Sequence, residues 1–104
     1  MIVYNTTFHM NDADVDEFLD WLRHYYVPSA LSGGIVTNPQ LHRIMGHRGL
    51  DDGGVSYALQ VQAPSLGDLQ RWHLATGKQL MQGMMSRFGT RVVAFATMME
   101  KIEI

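Results

Sequence analysis

Between Ile2 and Met10 the residues fall into two alternating sets, Ile2, Tyr4, Thr6 and Phe8 against Val3, Asn5, Thr7 and His9. This period of two, in a segment rich in aromatic and β-branched side chains, predicts a strand. The period then changes to three and four at Val15, Phe18, Leu19, Leu22 and Tyr25 or Tyr26, the apolar stripe of an amphipathic helix. Asp14 and Glu17 stand at capping-box spacing in front of it, and early acids complement the positive end of a helix. Pro28 disfavours helical geometry at Val27 and lacks an amide proton, so the helix is expected to kink or end there, with Gly33 and Gly34 closing the segment.

Ile35 to Gly46 reads as a second strand interrupted by Asn38 and Pro39; proline cannot donate to a ladder, which places this strand at a sheet edge. Gly46 to Gly54 carries turn chemistry and predicts a hairpin. Beyond it Val55, Tyr57, Leu59 and Val61 alternate with Ser56, Ala58, Gln60 and Gln62. Ser65 and Asp68 then stand at capping spacing before a second helix, whose expected buried positions are Leu66, Leu69, Trp72, Leu80, Met84 and Phe88. Gly77 and Gly83 each cost a helix about 1 kcal/mol relative to alanine, which marks Gly77 as a break point, and Gly89 is the expected C-cap. Arg91 to Ile104 returns to a strand pattern.

The order strand, helix, strand, strand, helix, strand is the split βαβ duplication of a ferredoxin-like domain. It predicts an α+β fold spanning residues 1–104 as one domain: a βαββαβ chain with a four-stranded antiparallel sheet and two helices on one face. The Asn38–Pro39 strand and the last strand should form the edges, with Glu100, Lys101 and Glu103 guarding the exposed ladder. That last strand is apolar in both phases, with Val92, Ala94, Ala96 and Met98 on one side and Val93, Phe95 and Met99 on the other. A half-solvated strand would alternate, so the open sheet face should be covered, most simply by a second copy of the chain.

Composition narrows the function classes. With 46% hydrophobic and 17% charged residues, the chain lies well away from disordered compositions. A net charge of −2 offers no basic field for nucleic acid. No run approaches the roughly 20 apolar residues of a membrane span. The absence of cysteine rules out disulfides, thiolate metal sites and a cysteine nucleophile, and fits the cytoplasm.

The segments MIVYNTTF, FLDWLRHYYVP and RFGTRVVAFATMMEKI make the chain resemble, over essentially its whole length, a family of short bacterial proteins known only as a domain of unknown function. That family is similar to the dimeric α/β-barrel superfamily, in which two ferredoxin-like chains stack sheet against sheet. The resemblance implies the fold and the homodimer and carries over no catalytic residue. Haem-degrading monooxygenases of the superfamily use an asparagine on the first strand, a tryptophan on the second helix and a haem-ligating histidine nearly three turns later. Asn5 and Trp72 match the first two, but the third region reads Met81, Gln82, Gly83, so no haem is expected.

Other chemistry is sparse. His42 and His47 are five residues apart on an extended or turning chain, which is not chelate spacing, and no metal is expected. No GxxxxGK[ST], GxGxxG or GxSxG pattern is present. Met81, Met84 and Met85 at helical spacing read as core filler. Asn5, Thr7 and His9 with Ser56, Gln60 and Gln62 form a polar set on the central strands, to be satisfied by one another, by water across a dimer or by a ligand.

The expected site is a small, mostly apolar pocket between the sheet and the second helix, with Trp72 as wall, Asn5 as amide and His9 or His73 as base; Gln60 is a further ligand candidate. No cofactor is expected. The reading is a structural or small-ligand-binding homodimer of unassigned catalytic residues. The alternative is a cofactor-free oxygenase or isomerase of the dimeric α/β-barrel type acting on an apolar substrate.

Overall fold

A computed structural model describes residues 1–45 and 54–104; most of the expected hairpin turn, residues 46–53, lies outside them. Strand β1 (Ile2–Asn11) is central, pairing antiparallel with β3 (Gly54–Ala63) on one side and β4 (Val92–Glu100) on the other. Strand β2 (Thr37–Arg43) adds to the far side of β3, and the order is β2-β3-β1-β4. Both edge assignments made from sequence therefore hold. Strand β2 begins at Thr37 rather than at Ile35, and its register slips between Thr37 and Gln40, where Asn38 takes a positive φ of 56°. Such a bulge is where an edge strand can hold a proline. At the other edge the ladder ends at Glu100 rather than Ile104, apart from the Lys101 amide, which donates to the Met1 carbonyl at 3.0 Å.

Paired residues of an antiparallel ladder share a face, so the register assigns every side chain. Ile2, Tyr4, Thr6, Phe8 and Met10 face the helices with Tyr57, Leu59, Val61, Val92 and Ala94. The other face carries Val3, Asn5, Thr7 and His9, with Ser56, Ala58, Gln60 and Gln62 and with Val93, Phe95, Thr97 and Met99. The polar set read from sequence thus does share the open face.

The first helix departs from its expected form. A 3-10 turn (Asp12–Asp14) leads into α1, residues 15–31, built from α-helical Val15–Trp21, a π turn at Leu22–Tyr26 and α-helical Val27–Leu31. Pro28 neither ends nor breaks it. The Val27 amide bonds five residues back to Leu22, and this wider turn immediately precedes the residue that has no amide to contribute. Asp14 and Glu17 make no capping box either. Arg91 takes both carboxylates, at 2.6 Å to Asp14 Oδ1 and 3.2 Å to Glu17 Oε1, and its pKa is raised by those two bonds.

The second helix, α2, covers residues 66–88 as Leu66–Trp72, a π turn at His73–Gly77 and Lys78–Phe88. Ser65 caps it as expected: its Oγ accepts from the Asp68 amide at 3.1 Å and donates to the Asp68 carboxylate at 2.9 Å. Gly89 closes it with a φ of 58°. Leu69, Trp72, Leu80, Met84 and Phe88 are buried as predicted, whereas Leu66 in the first turn and Met85 are exposed. In α1 the stripe is Phe18, Trp21, Leu22, Tyr26 and Ala30; Trp21 was not in the sequence stripe, and Tyr25 turns outward.

Gly77 is not a break point. A Cβ built there would lie 2.6 Å from Trp72 Cζ3 and 2.9 Å from Cη2, so glycine is what lets the indole pack over the π turn. Trp72 cannot simply move aside, since its Nε1 donates to the Ala30 carbonyl at 2.9 Å. Gly77→Ala is expected to lower stability by about 1–3 kcal/mol through overpacking. At Gly83 the nearest atom to an added Cβ is Tyr25 Cε2 at 4.0 Å, so Gly83→Ala should instead stabilise by up to about 1 kcal/mol. Urea midpoints moving in opposite directions for the two variants check this; a shift of the same sign would contradict it.

Candidate functional site

A groove of about 490 Å³ opens between α2 and β4, bounded by Tyr4, Leu69, Gln70, His73, Leu74, Ala96 and Met98. Its origin lies in the edge strand. Val92 at the start of β4 is buried, but the helix-facing residues Ala96 and Met98 further along are exposed. The floor is Tyr4, whose ring meets Trp72 edge-on at 5.7 Å. Gln70 and His73, three residues apart on α2, bring the polar groups to one wall. Leu74 on the same helix and Met98 opposite supply the apolar rim, 73% and 59% exposed.

The structure divides the sequence candidates into two groups. Trp72 and His73 lie on the helix side of the sheet, whereas Asn5, His9 and Gln60 lie on the open face. The expected pocket walled by Trp72 and furnished with the Asn5 amide is therefore corrected. Strand alternation puts Asn5 on the opposite face from Tyr4, and the Trp72 indole is a core residue beneath the groove. The groove does lie between the sheet and the second helix, and it contains His73. Tyr4, Gln70 and Met98 were not singled out from sequence; Tyr4 and Met98 are partners in the β1–β4 register, which no strand pattern reveals by itself.

On the open face, Asn5 Nδ2 donates to Thr7 Oγ1 at 3.0 Å, and His9 Nδ1 lies 2.8 Å from Ser56 Oγ. The Asn5 Oδ1 atom is buried without a hydrogen-bond partner. Beside this polar zone, Val93, Phe95 and Met99 of β4 are 54%, 64% and 39% exposed. Among the described residues no three His, Asp or Glu side chains converge as a metal site would need, and no helix is long and apolar enough to cross a membrane.

The sheet order and the placement of both helices on one face define a ferredoxin-like fold. The chain belongs to the family described as a domain of unknown function, DUF4286, which matches residues 1–102. No curated protein matches it in sequence. Among solved structures it is similar to HapK from Hahella chejuensis, with 12% identity and a TM-score of 0.69 over 98% of this chain and 93% of that one. A protein from Deinococcus radiodurans assigned as an antibiotic biosynthesis monooxygenase superposes at 0.67 with 14% identity, covering 100% and 95% of the two chains. A dimeric ferredoxin-like protein from an uncultured marine organism gives 0.62 with 11% identity, covering 99% and 97%. At these identities the likeness is one of fold.

Proposed function

We propose that the protein is a cytoplasmic homodimer, assembled open face to open face, each of whose subunits binds a small, mainly apolar molecule in the groove between α2 and β4. One observation carries both halves: β4 is apolar and exposed on its two sides, through Val93, Phe95 and Met99 on one and Ala96 and Met98 on the other. Contiguous apolar surface of this kind marks interaction sites, and a groove with apolar walls and a few polar groups marks a ligand site. Dimeric neighbours of the same fold support the first half.

Two measurements test it. Sedimentation should show a dimer at micromolar concentration, and Phe95→Glu, which places a charge in the apolar patch, should yield a folded monomer; a monomeric parent chain would overturn the assembly. For the groove, a thermal-shift screen of small apolar compounds should find a binder that protects the parent chain but not Ala96→Phe, which fills the space. At 100 times its dissociation constant such a binder adds about 2.7 kcal/mol. Undiminished protection in Ala96→Phe would place the binding elsewhere.

A second reading, a cofactor-free oxygenase or isomerase, is favoured by His73, whose imidazole in the groove wall is able to accept and return a proton. Turnover of a groove ligand that falls about 100-fold or more in His73→Ala, with binding retained, would select it.

A further inference from the structure

The register reveals an arrangement on the open face that no single strand shows. Asn5 is paired with Gln60 on one side and Thr97 on the other, and Gln60 is paired in turn with Gln40. One rung of the sheet is therefore polar across all four strands, in the order Gln40, Gln60, Asn5, Thr97. On β4 this rung is an interruption. Val93, Phe95 and Met99 share Thr97's face, and Thr97 is the polar residue among them. The neighbouring rungs are mixed: His42, Ala58, Thr7 and Phe95 on one side, Thr37, Gln62, Val3 and Met99 on the other.

Each side chain of the rung both donates and accepts hydrogen bonds, so two such rungs brought together by a two-fold axis are mutually complementary. The Asn5 amide is already committed through Nδ2 to Thr7 Oγ1, while its Oδ1 is buried with no donor. Within the single chain that acceptor is costly. Stacking the faces one rung out of step would set the rung against mixed rungs that carry Ala58 and Phe95 or Val3 and Met99, so that fewer of its polar groups find a polar partner. Each group left buried without one costs about 1–3 kcal/mol.

We propose that the Gln40–Gln60–Asn5–Thr97 rung is the register key of the homodimer, meeting its own copy across the interface and excluding other alignments of the two sheets. The apolar residues of β4 supply the drive to associate, and the rung decides how, in the manner of a buried polar position in a coiled coil. This rests on the homodimer reading above, and the experiment separates the two. The chain has no cysteine, so Gln79→Cys at an exposed position of α2 takes a single nitroxide label per subunit. Sedimentation reports association, and the label-to-label distance distribution reports register.

The labelled parent is expected to be a dimer with one narrow distance. Adding Asn5→Leu and Gln60→Leu should leave the chains associated but split that distance into two or more populations. An unchanged single distance in the double variant overturns the register key, and so does a folded, monomeric double variant, since the rung would then supply association itself. A monomeric labelled parent overturns the homodimer and the key with it. Should circular dichroism show the double variant unfolded, Thr97→Val, at the exposed end of the rung, carries the same test with the same two outcomes.

Discussion

Phe18→Ala should cost about 3–5 kcal/mol, the range for truncating a fully buried phenylalanine. The Phe18 side chain is inaccessible to solvent and lies at the centre of an aromatic cluster. Ring centroids of Phe8, Phe88, Trp21 and Tyr57 stand 4.9, 6.0, 6.1 and 6.4 Å from its own. These partners come from β1, α2, α1 and β3, so the vacated space is bounded by four elements that cannot all collapse inward together. The loss is a large share of the roughly 5–15 kcal/mol that holds a domain folded. Leu74→Ala, at the exposed groove rim, should change stability by no more than about 0.5 kcal/mol. Urea unfolding at one fixed protein concentration, as a dimer requires, checks both values. A Phe18→Ala loss below about 1.5 kcal/mol would show that the cluster repacks.

Stability should also fall steeply between about pH 10 and pH 12, with Tyr26 responsible. Burial pushes its phenol up to about 12, the neighbouring Tyr4 adds to the rise and a hydrogen bond with Thr6 opposes it. The unfolded chain loses this proton near pH 10, while the folded chain keeps it to about 12. Throughout that interval the unfolded state binds fewer protons, so stability declines as pH rises. Below pH 10 both states are protonated and the contribution is complete. The shift of about two units corresponds to about 2–3 kcal/mol. Tyr26→Phe should lower stability at pH 8 by about 1 kcal/mol through the lost hydrogen bond, yet flatten the alkaline decline. An equally steep decline in Tyr26→Phe would assign it to another group.

How much of this was legible beforehand differs by element. The alternation of β1 and β3, the proline in β2 and the two apolar phases of β4 determined the element order, the sheet edges and the open face, because a strand's period of two assigns faces without reference to anything outside the strand. Ser65 and Gly89 marked their helix ends for the same local reason. The π turns were not legible. They depend on how Pro28 and Trp72 are accommodated, and Gly77 is required by an indole packed over it rather than by its own backbone angles.

The site depended still more on long-range structure. Asn5 and Trp72 were expected to furnish one pocket, but alternation along β1 puts Asn5 on the open face while Tyr4 turns to the indole. Sequence alone determined that β4 has too much apolar surface for one face of a sheet. Only the tertiary structure decided where that excess goes. Helix cover ends beyond Ala94, leaving Ala96 and Met98 to form a groove with Tyr4 and His73, and the register of four strands gathers Gln40, Gln60, Asn5 and Thr97 into one rung. Neither is a property of a single segment, because a face follows from a period but a neighbour across strands follows from pairing.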